Sequence, residues 1–427
     1  MGEQEPVYLV GNVRLNASDP RLQQLLAAAY TRNTPPLCLC RPNGVPMYIA
    51  RYKEFVVKRL PESGKDHHPK CSSFDQAPAE SGLGEILGDA VIERSPDRVE
   101  VRLGFSLTRR VGRPFPAEDP HRPKTEVTAT RRSIGLRGLV HLLFQRAGLN
   151  NWYPRMQGKR SWYVVRRYLH EAAVEIEAKG HRLADLLYLP EPAQPDDVEG
   201  IVRRRARAFA KLLAPAEGIQ FRLMLVLGEL KDFSPTEIDH RVLLKHMPDC
   251  PLYMERKAGD RFKKMFEPEY EAWEHQRSAE RAGDAAATRL RFLFVGLVYA
   301  KREGVYVVDT ASLQLTSMTW VPLDHPYEQQ LVDLLTLQQR RFLKPLRYES
   351  RQGASFPNAV LLDAGEHEVA LDIVSPFMPE KERIAKEHAI GERSPPGWVW
   401  QMQSGEELPV LPAVNITTPA PQTVQGA

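Results

Sequence analysis

The chain has no apolar run long enough to cross a bilayer, although 42% of its 427 residues are hydrophobic, and a membrane-spanning role is therefore set aside. Its opening residues, MGEQEPVYLVGNVRL, lack the basic start and long apolar core of a secretory signal. Gly2 is not followed by the Ser or Thr of a myristoylation signal either, so the expected compartment is the cytoplasm. Cysteine is scarce, with four in the whole chain, which in a reducing compartment excludes a disulfide framework. No Gly-rich loop of the P-loop or dinucleotide kind occurs, so nucleotide hydrolysis finds no support.

What cysteine there is lies together. Three of the four fall between residues 38 and 71, in LCLC and HHPKC. Thiolate and imidazole suit zinc, and a structural zinc site needs four such ligands held tetrahedrally. Cys38 and Cys40 supply two from one tight segment, and His67 and Cys71, four apart, can meet the same ion from a turn. The quartet Cys38, Cys40, His67 and Cys71 is thus the candidate Zn2+ site, with His68 as the substitute for His67. The alternative is that the cysteines are buried hydrophobes and HHPK a solvated loop. Four protein ligands would leave no open position, so the metal would serve folding. Cys250, isolated in HMPDCPLY, reads as a small buried thiol.

The net charge of +4 hides an asymmetry: Val101 to His170 carries 15 Lys or Arg against 3 Asp or Glu, and the remainder of the chain sums to −8. Within that segment Trp152, Tyr153, Trp162 and Tyr163 are interleaved with Arg155, Lys159, Arg160, Arg166 and Arg167. Cations can meet phosphates while rings such as Trp152 and Tyr153 stack on bases, so these residues form the candidate nucleic-acid surface. Solvated helices and core aromatics give the competing explanation.

Alternation and turn residues make the first hundred positions strand-rich: a strand over 7–15, a helix over 21–30, a hairpin in MYIARYKEFVVKRL and a further pair around SPD. The expected organisation is an α+β, multidomain chain. Residues 1–110 form a strand-rich domain with the zinc module at 37–75, and the proline-rich 111–130 form a linker. Residues 131–215 form a basic helical domain of helix-turn-helix or winged-helix style, followed by a mixed α/β region over 216–322. A last domain spans 323–403, and a Pro- and Thr-rich tail, 404–427, is expected to be disordered.

In that last domain the order helix, three strands (LRYES, NAVLLDA, VALDIVS), helix, closing strand (WVWQMQ) resembles the α/β core of the PD-(D/E)XK nuclease superfamily. The resemblance implies that Glu328 matches the helical acid, Pro357 with Asn358 the Pro-Asp, and Asp372 the acid of the next strand. Asn358 departs from the expected Asp and Val374 from the expected Lys. Asp363 could replace the first acid, and Lys381 or Lys386 could reach back for the lysine. Active, Glu328, Asp363, Asp372 and Lys386 would hold Mg2+ or Mn2+ and make a DNA nuclease. Degenerate, the core would serve binding or assembly.

Beyond these motifs, LCLCRPNGVPMYIARY, VKRLPESG, HHPKC and LRGLVHLLFQRAGLNNWYPRMQGKRSW resemble the bacterial family termed domain of unknown function 1173, from about residue 5 to residue 402. That resemblance implies a protein carried on plasmids and integrative conjugative elements and a small set of N-terminal cysteines, here Cys38, Cys40 and Cys71. The combined expectation is a zinc-stabilised nucleic-acid-binding protein, its partners DNA and other mobile-element proteins, with a degenerate nuclease-like domain. An active metal-dependent nuclease and a non-enzymatic scaffold of a DNA transfer or maintenance complex are the alternatives.

Overall fold

A computed structural model describes residues 5–110, 132–212, 220–284, 289–350, 352–365, 367–402 and 407–414. Among these residues the fold is mixed α+β, with nine α-helices and several sheets. The expected strand over 7–15 is a hairpin, β1 (Val7–Val10) and β2 (Val13–Asn16), because Gly11 takes φ +59° and turns the chain. Helix α1 (Leu22–Thr31), β3 (Leu37–Cys38), β4 (Val45–Arg51) and β5 (Phe55–Arg59) complete a sheet of order β2-β1-β3-β4-β5. Its core is Tyr8, Val10, Leu15, Leu26, Val45 and Met47, with Cys38 and Cys71.

Next come β6 (Val91–Ser95), β7 (Arg98–Val101) and β8 (Thr108–Arg110), the first two forming the expected pair around SPD. The linker expected over 111–130 lies outside the described residues. Helix α2 (Leu136–Arg146) buries Leu139, Val140 and Leu143, and Gly148 follows at φ +66° to end it as its position suggests. The expected helix-turn-helix is not formed. Residues 147–161 contain a strand, β9 (Asn151–Trp152), before α3 (Trp162–Glu175) begins, far more chain than the three- or four-residue turn of that motif. Helix α3 ends at Glu175. Ile176 leaves it for β10 (Ile176–Ala178), which pairs in parallel with β7. Short elements β11 (His181–Arg182), α4 (Leu183–Leu186) and β12 (Leu187–Tyr188) lead to α5 (Val198–Ala210).

The mixed region expected over 216–322 contains a closed barrel. After β13 (Gln220–Arg222), which pairs with β8, come β14 (Met224–Pro235), β15 (Asp239–Leu244) and β16 (Leu252–Glu255). Two helices follow, α6 (Arg256–Met265) and α7 (Glu267–Ala282), then β17 (Arg291–Arg302) and β18 (Val305–Thr316). The pairings close a circuit, β14–β15–β16–β18–β17 and back to β14, with β16–β18 alone parallel. Side chains of β14 and β17 alternate faces, as strands must. Val226, Leu230, Phe294 and Val298 point into the barrel, where Phe262 and Trp273 of α6 and α7 join them. Leu225, Leu227, Leu293, Val295 and Leu297 point outward into a second core with Leu139, Leu143 and Leu169 of α2 and α3. Burial on both faces explains the unbroken apolar runs MLVL and FLFVGLV. The helical segment is consequently the jacket of the barrel rather than a separate domain.

The last unit follows the expected order. Past β19 (Pro322–Leu323), α8 (Gln329–Leu337) precedes β20 (Phe342–Leu343), β21 (Ala359–Leu361) and β22 (Val369–Val374), then α9 (Glu380–Glu392) and β23 (Trp398–Gln401). The sheet order is β23-β22-β21-β20-β9, antiparallel except for β22–β23. The first strand lies at Phe342–Leu343 rather than in LRYES, where Tyr348 and Glu349 adopt φ of 49° and 62°. Residues 407–414 also depart from expectation. Leu411 is buried against the main core and Trp398 Nε1 donates to the Val410 carbonyl at 3.1 Å, so this part of the tail is packed rather than disordered.

Ion pairs tie these units together. Glu175, 3% exposed, accepts from Lys58 at 2.6 Å and from the hydroxyls of Tyr52 and Tyr48, and forms an ion pair with Arg146 at 3.2 Å, joining the N-terminal sheet to the helical jacket. Lys65 reaches Glu368 at 2.8 Å in the C-terminal unit. Removing one member of a buried ionic group leaves its partners uncompensated. Glu175→Ala is therefore expected to destabilise the protein by about 3 kcal/mol, read from urea unfolding. A change below about 0.5 kcal/mol, the scale of an ordinary surface substitution, would show that Glu175 does not hold this junction.

Candidate functional site

The four predicted zinc ligands come together. Cys38 ends β3, Cys40 follows in the turn that Pro42, Asn43 and Gly44 continue, and His67 and Cys71 lie in the loop after β5. Their ligand atoms all lie within 4.8 Å of one another. The Cys38 and Cys71 sulfurs are 3.6 Å apart, and His67 Nδ1 is 3.3 Å from Cys40 Sγ and 3.7 Å from Cys71 Sγ. Zn–S bonds of about 2.3 Å and Zn–N bonds of about 2.0 Å place tetrahedral S···S edges at roughly 3.8 Å and S···N edges at roughly 3.6 Å. The cluster therefore has both the donor set and the dimensions of a structural zinc site. His68 stays outside it, its Nδ1 accepting from the Lys70 backbone N–H at 3.1 Å.

Backbone contacts hold the cluster in shape. Ser73 N–H donates to Cys71 Sγ at 3.4 Å, and Arg41 donates to the His67 carbonyl at 3.2 Å. Arg341 donates to the carbonyls of Lys70 at 2.6 Å and Cys71 at 2.5 Å, so the C-terminal unit grips the ligand loop directly. Hydrogen bonding from Cys38 and Cys40 holds the Cys71 thiol well below its usual range. Burial opposes the charge on His67, but the Cys40 and Cys71 thiols outweigh it and push the imidazole up to about 9. Metal entry would release that proton, as it must for any imidazole ligand.

The C-terminal acids behave differently. Glu328, 1% exposed, accepts from Lys344 at 3.1 Å, from Asn358 Nδ2 at 2.7 Å and from the Asp324 N–H at 2.8 Å. Asp324, which the sequence motif did not mark, pairs with Lys344 at 2.6 Å and Arg347 at 3.2 Å. Burial would raise the Asp324 carboxyl, yet Lys344 and Arg347 hold it well below the usual carboxylate range. Asn358 Oδ1 accepts from the Ile373 N–H at 2.9 Å, so Asn358 bridges Glu328 to the strand carrying Asp372. Fully buried Asp372 pairs with Lys386 at 2.7 Å and with Arg393. Lys386 thus reaches back to the acid, while Lys381 is exposed. Asp363 does not join: Arg340 grips it at 2.8 Å and the Arg341 N–H donates to it at 2.7 Å. Among the described residues the Cys/His quartet is the one group of three or more such side chains close enough to hold an ion, and Mg2+ or Mn2+ finds no support at Glu328, Asp363 and Asp372. Each acid already has a cation or an amide on it.

The residues of the expected nucleic-acid surface divide. Trp152 is 1% exposed in the core, beneath the Arg160 guanidinium, and cannot stack on a base. Arg160 is spent on the carbonyls of Gly148, Leu149, Asn151 and Thr319. Arg341 lies over the Tyr153 ring and Arg155 pairs with Glu5 at 3.1 Å. Trp162 is buried, its Nε1 donating to the Pro190 carbonyl at 2.8 Å. Lys159, Tyr163 and Arg167 remain exposed, and Arg166 is half-buried with its Nε on the Leu189 carbonyl. The α3 helical period would have separated Trp162 and Val165 from Tyr163 and Arg167, a signal the aromatic count alone missed.

Two measurements follow. Protein purified without chelator is expected to carry about one equivalent of zinc, retained in Cys250→Ser, lost in Cys71→Ser, and released on acidification because thiolate and imidazole must shed protons to bind. Metal analysis giving under half an equivalent would remove the site. Burial pushes Lys386 down from 10.5 to about 8, despite Asp372. Between those values the unfolded chain binds more protons than the folded one, so stability should rise with pH from about 8 to 10.5 relative to Lys386→Met. A pH-independent difference between the two proteins would contradict it.

No curated protein and no solved structure matches the chain significantly. No helix among the described residues is long and apolar enough to cross a membrane. A family profile described as a protein of unknown function, DUF1173, matches residues 8–403. With nearly the whole length covered, including the cysteine and histidine cluster, the chain belongs to the DUF1173 family.

Proposed function

We propose that this protein binds nucleic acid, DNA in the first instance, and that its zinc cluster and nuclease-like C-terminal unit serve architecture rather than cleavage. One observation carries the reading: the outer face of α3. Tyr163, 61% exposed, Arg167 and His170 recur at helical spacing along it, Lys159 stands exposed on the preceding turn, and Arg166 lies at its margin. Among the described residues Arg167 has a single loose carboxylate partner, Glu171 at 3.8 Å. Cations beside an exposed ring offer phosphate contact and base stacking together.

The C-terminal unit supports the non-cleaving side of the proposal. Its helix, three strands, helix and strand keep the order of the nuclease core, and Glu328, Asn358, Asp372 and Lys386 keep its polar positions. Lys344, Arg347 and Arg393 occupy the acids from within, in the role that a divalent ion would need to fill. Such a unit can hold the chain together around a DNA-handling surface in a mobile-element complex without cutting.

Fluorescence anisotropy with labelled oligonucleotides tests this. Affinity should fall steeply with salt, and Lys159→Glu with Arg167→Glu should lower it at least about tenfold and reduce the salt slope by about 2. Binding that ignores salt or survives the double reversal would sink the assignment. Manganese-dependent cleavage abolished by Asp372→Ala would overturn the architectural reading of the C-terminal unit.

A further inference from the structure

The barrel carries a second surface, independent of α3. Its first three strands, β14, β15 and β16, form an antiparallel meander, two helices intervene, and β17 and β18 form a hairpin that closes the circuit. The first strand pairs with the fourth, and the third runs parallel to the fifth. This is the connectivity of oligonucleotide- and oligosaccharide-binding (OB) barrels, which take their ligands across the second and third strands. The jacket of α2 and α3 covers the outer wall of β14 and β17. On the outer wall of β15 and β16, Arg241 and half-buried Tyr253 are directly opposite cross-strand partners. Arg241 lies 3.5 Å from Asp232, and Asp239 and Glu255 border the wall at one end.

Charge identifies the occupant. Helix α6 leaves β16 directly and carries five Lys or Arg against one acid, Asp260, which is engaged by His240 at 3.0 Å. Lys257, Arg261 and Lys264, at i, i+4 and i+7, stand exposed along it without an ion-pair partner among the described residues. Arg256 donates to the carbonyls of Thr236 at 2.9 Å and Glu237 at 2.5 Å, fixing the loop between the first two barrel strands against this helix.

We infer that this wall and the adjoining helix α6 bind single-stranded nucleic acid, with Lys257, Arg261 and Lys264 of α6 tracking phosphates and Tyr253, flanked by Arg241, stacking on a base. A paired duplex keeps its base faces inside the helix and cannot offer one to Tyr253, whereas a single strand can. The inference rests on the nucleic-acid reading above but uses a separate surface, so the two can fail separately.

The test compares one labelled sequence as single strand and as duplex, binding to the full chain and to three variants checked for unchanged thermal unfolding. Lys257→Glu with Arg261→Glu and Lys264→Glu should weaken single-strand binding at least about tenfold and lower its salt slope by about 2. Tyr253→Ala should weaken it about fivefold or more. Lys159→Glu with Arg167→Glu should leave a residual preference for single strands. If the triple reversal binds single strands like the parent, the barrel assignment falls while α3 stands. Equal losses for single strand and duplex would reduce α6 to a general basic patch and overturn the single-strand assignment. Displacement by polyglutamate as effective as by an oligonucleotide of equal charge would overturn it in favour of an acidic protein partner. Absence of binding to either form by the parent would remove both proposals.

Discussion

Every second side chain of β14 and β17 enters the barrel while its neighbours enter the layer between barrel and helices, so two hydrophobic cores share one wall. A one-residue slip of either strand would exchange the two sets and spoil both cores at once, which ties the register of the wall more tightly than a one-faced sheet could. The jacket helices, the turn that carries β9, and through β9 the C-terminal sheet, all depend on that wall.

Around this apolar frame the chain buries an unusual amount of charge. Asp324, Glu328, Lys344, Asp372 and Lys386 are each at most 2% exposed. Buried pairs seldom add much stability over an apolar alternative, because desolvation cancels most of their attraction. Their geometry is nevertheless demanding, since each removal strands a partner. Such groups act as registry marks: Asn358 can satisfy Glu328 and the Ile373 N–H together only when β21 and β22 lie in one relative position.

The parts of the molecule that were readable from sequence are those in which local chemistry is decisive. Cys38, Cys40, His67 and Cys71 share so specific a ligand chemistry that their convergence was legible despite the β4–β5 hairpin that separates the two pairs. The order of elements after Pro326 was legible for the same reason, as alternation and helical period change cleanly there. Other features depended on partners distant in sequence. Trp152 and Arg160 sit in a basic, aromatic stretch identical in style to Tyr163 and Arg167; the α3 period sets Tyr163 outward, but only the pairing of β9 with β20 decides that Trp152 is core. Asp324 and Lys344 belong to no motif, and their association is visible only once the segments that follow β19 and β20 meet. Barrel closure was hidden likewise, since strand alternation says which faces are buried but not which edges meet.

The two-residue strand β9 governs how the C-terminal sheet is assembled. Phe342 and Leu343 pair with Asn151 and Trp152 on one side and with β21 on the other, so the C-terminal sheet receives its outermost strand from a segment made almost two hundred residues earlier. Excising residues 323–403 as an independent fragment would strip that strand away and leave β20 with unpaired backbone groups on an apolar edge, an invitation to self-association. During synthesis the same edge must wait for no later partner: Asn151 and Trp152 have already left the ribosome when β20 emerges. The order in which the chain is made thus shields the strand that its own domain boundary would expose.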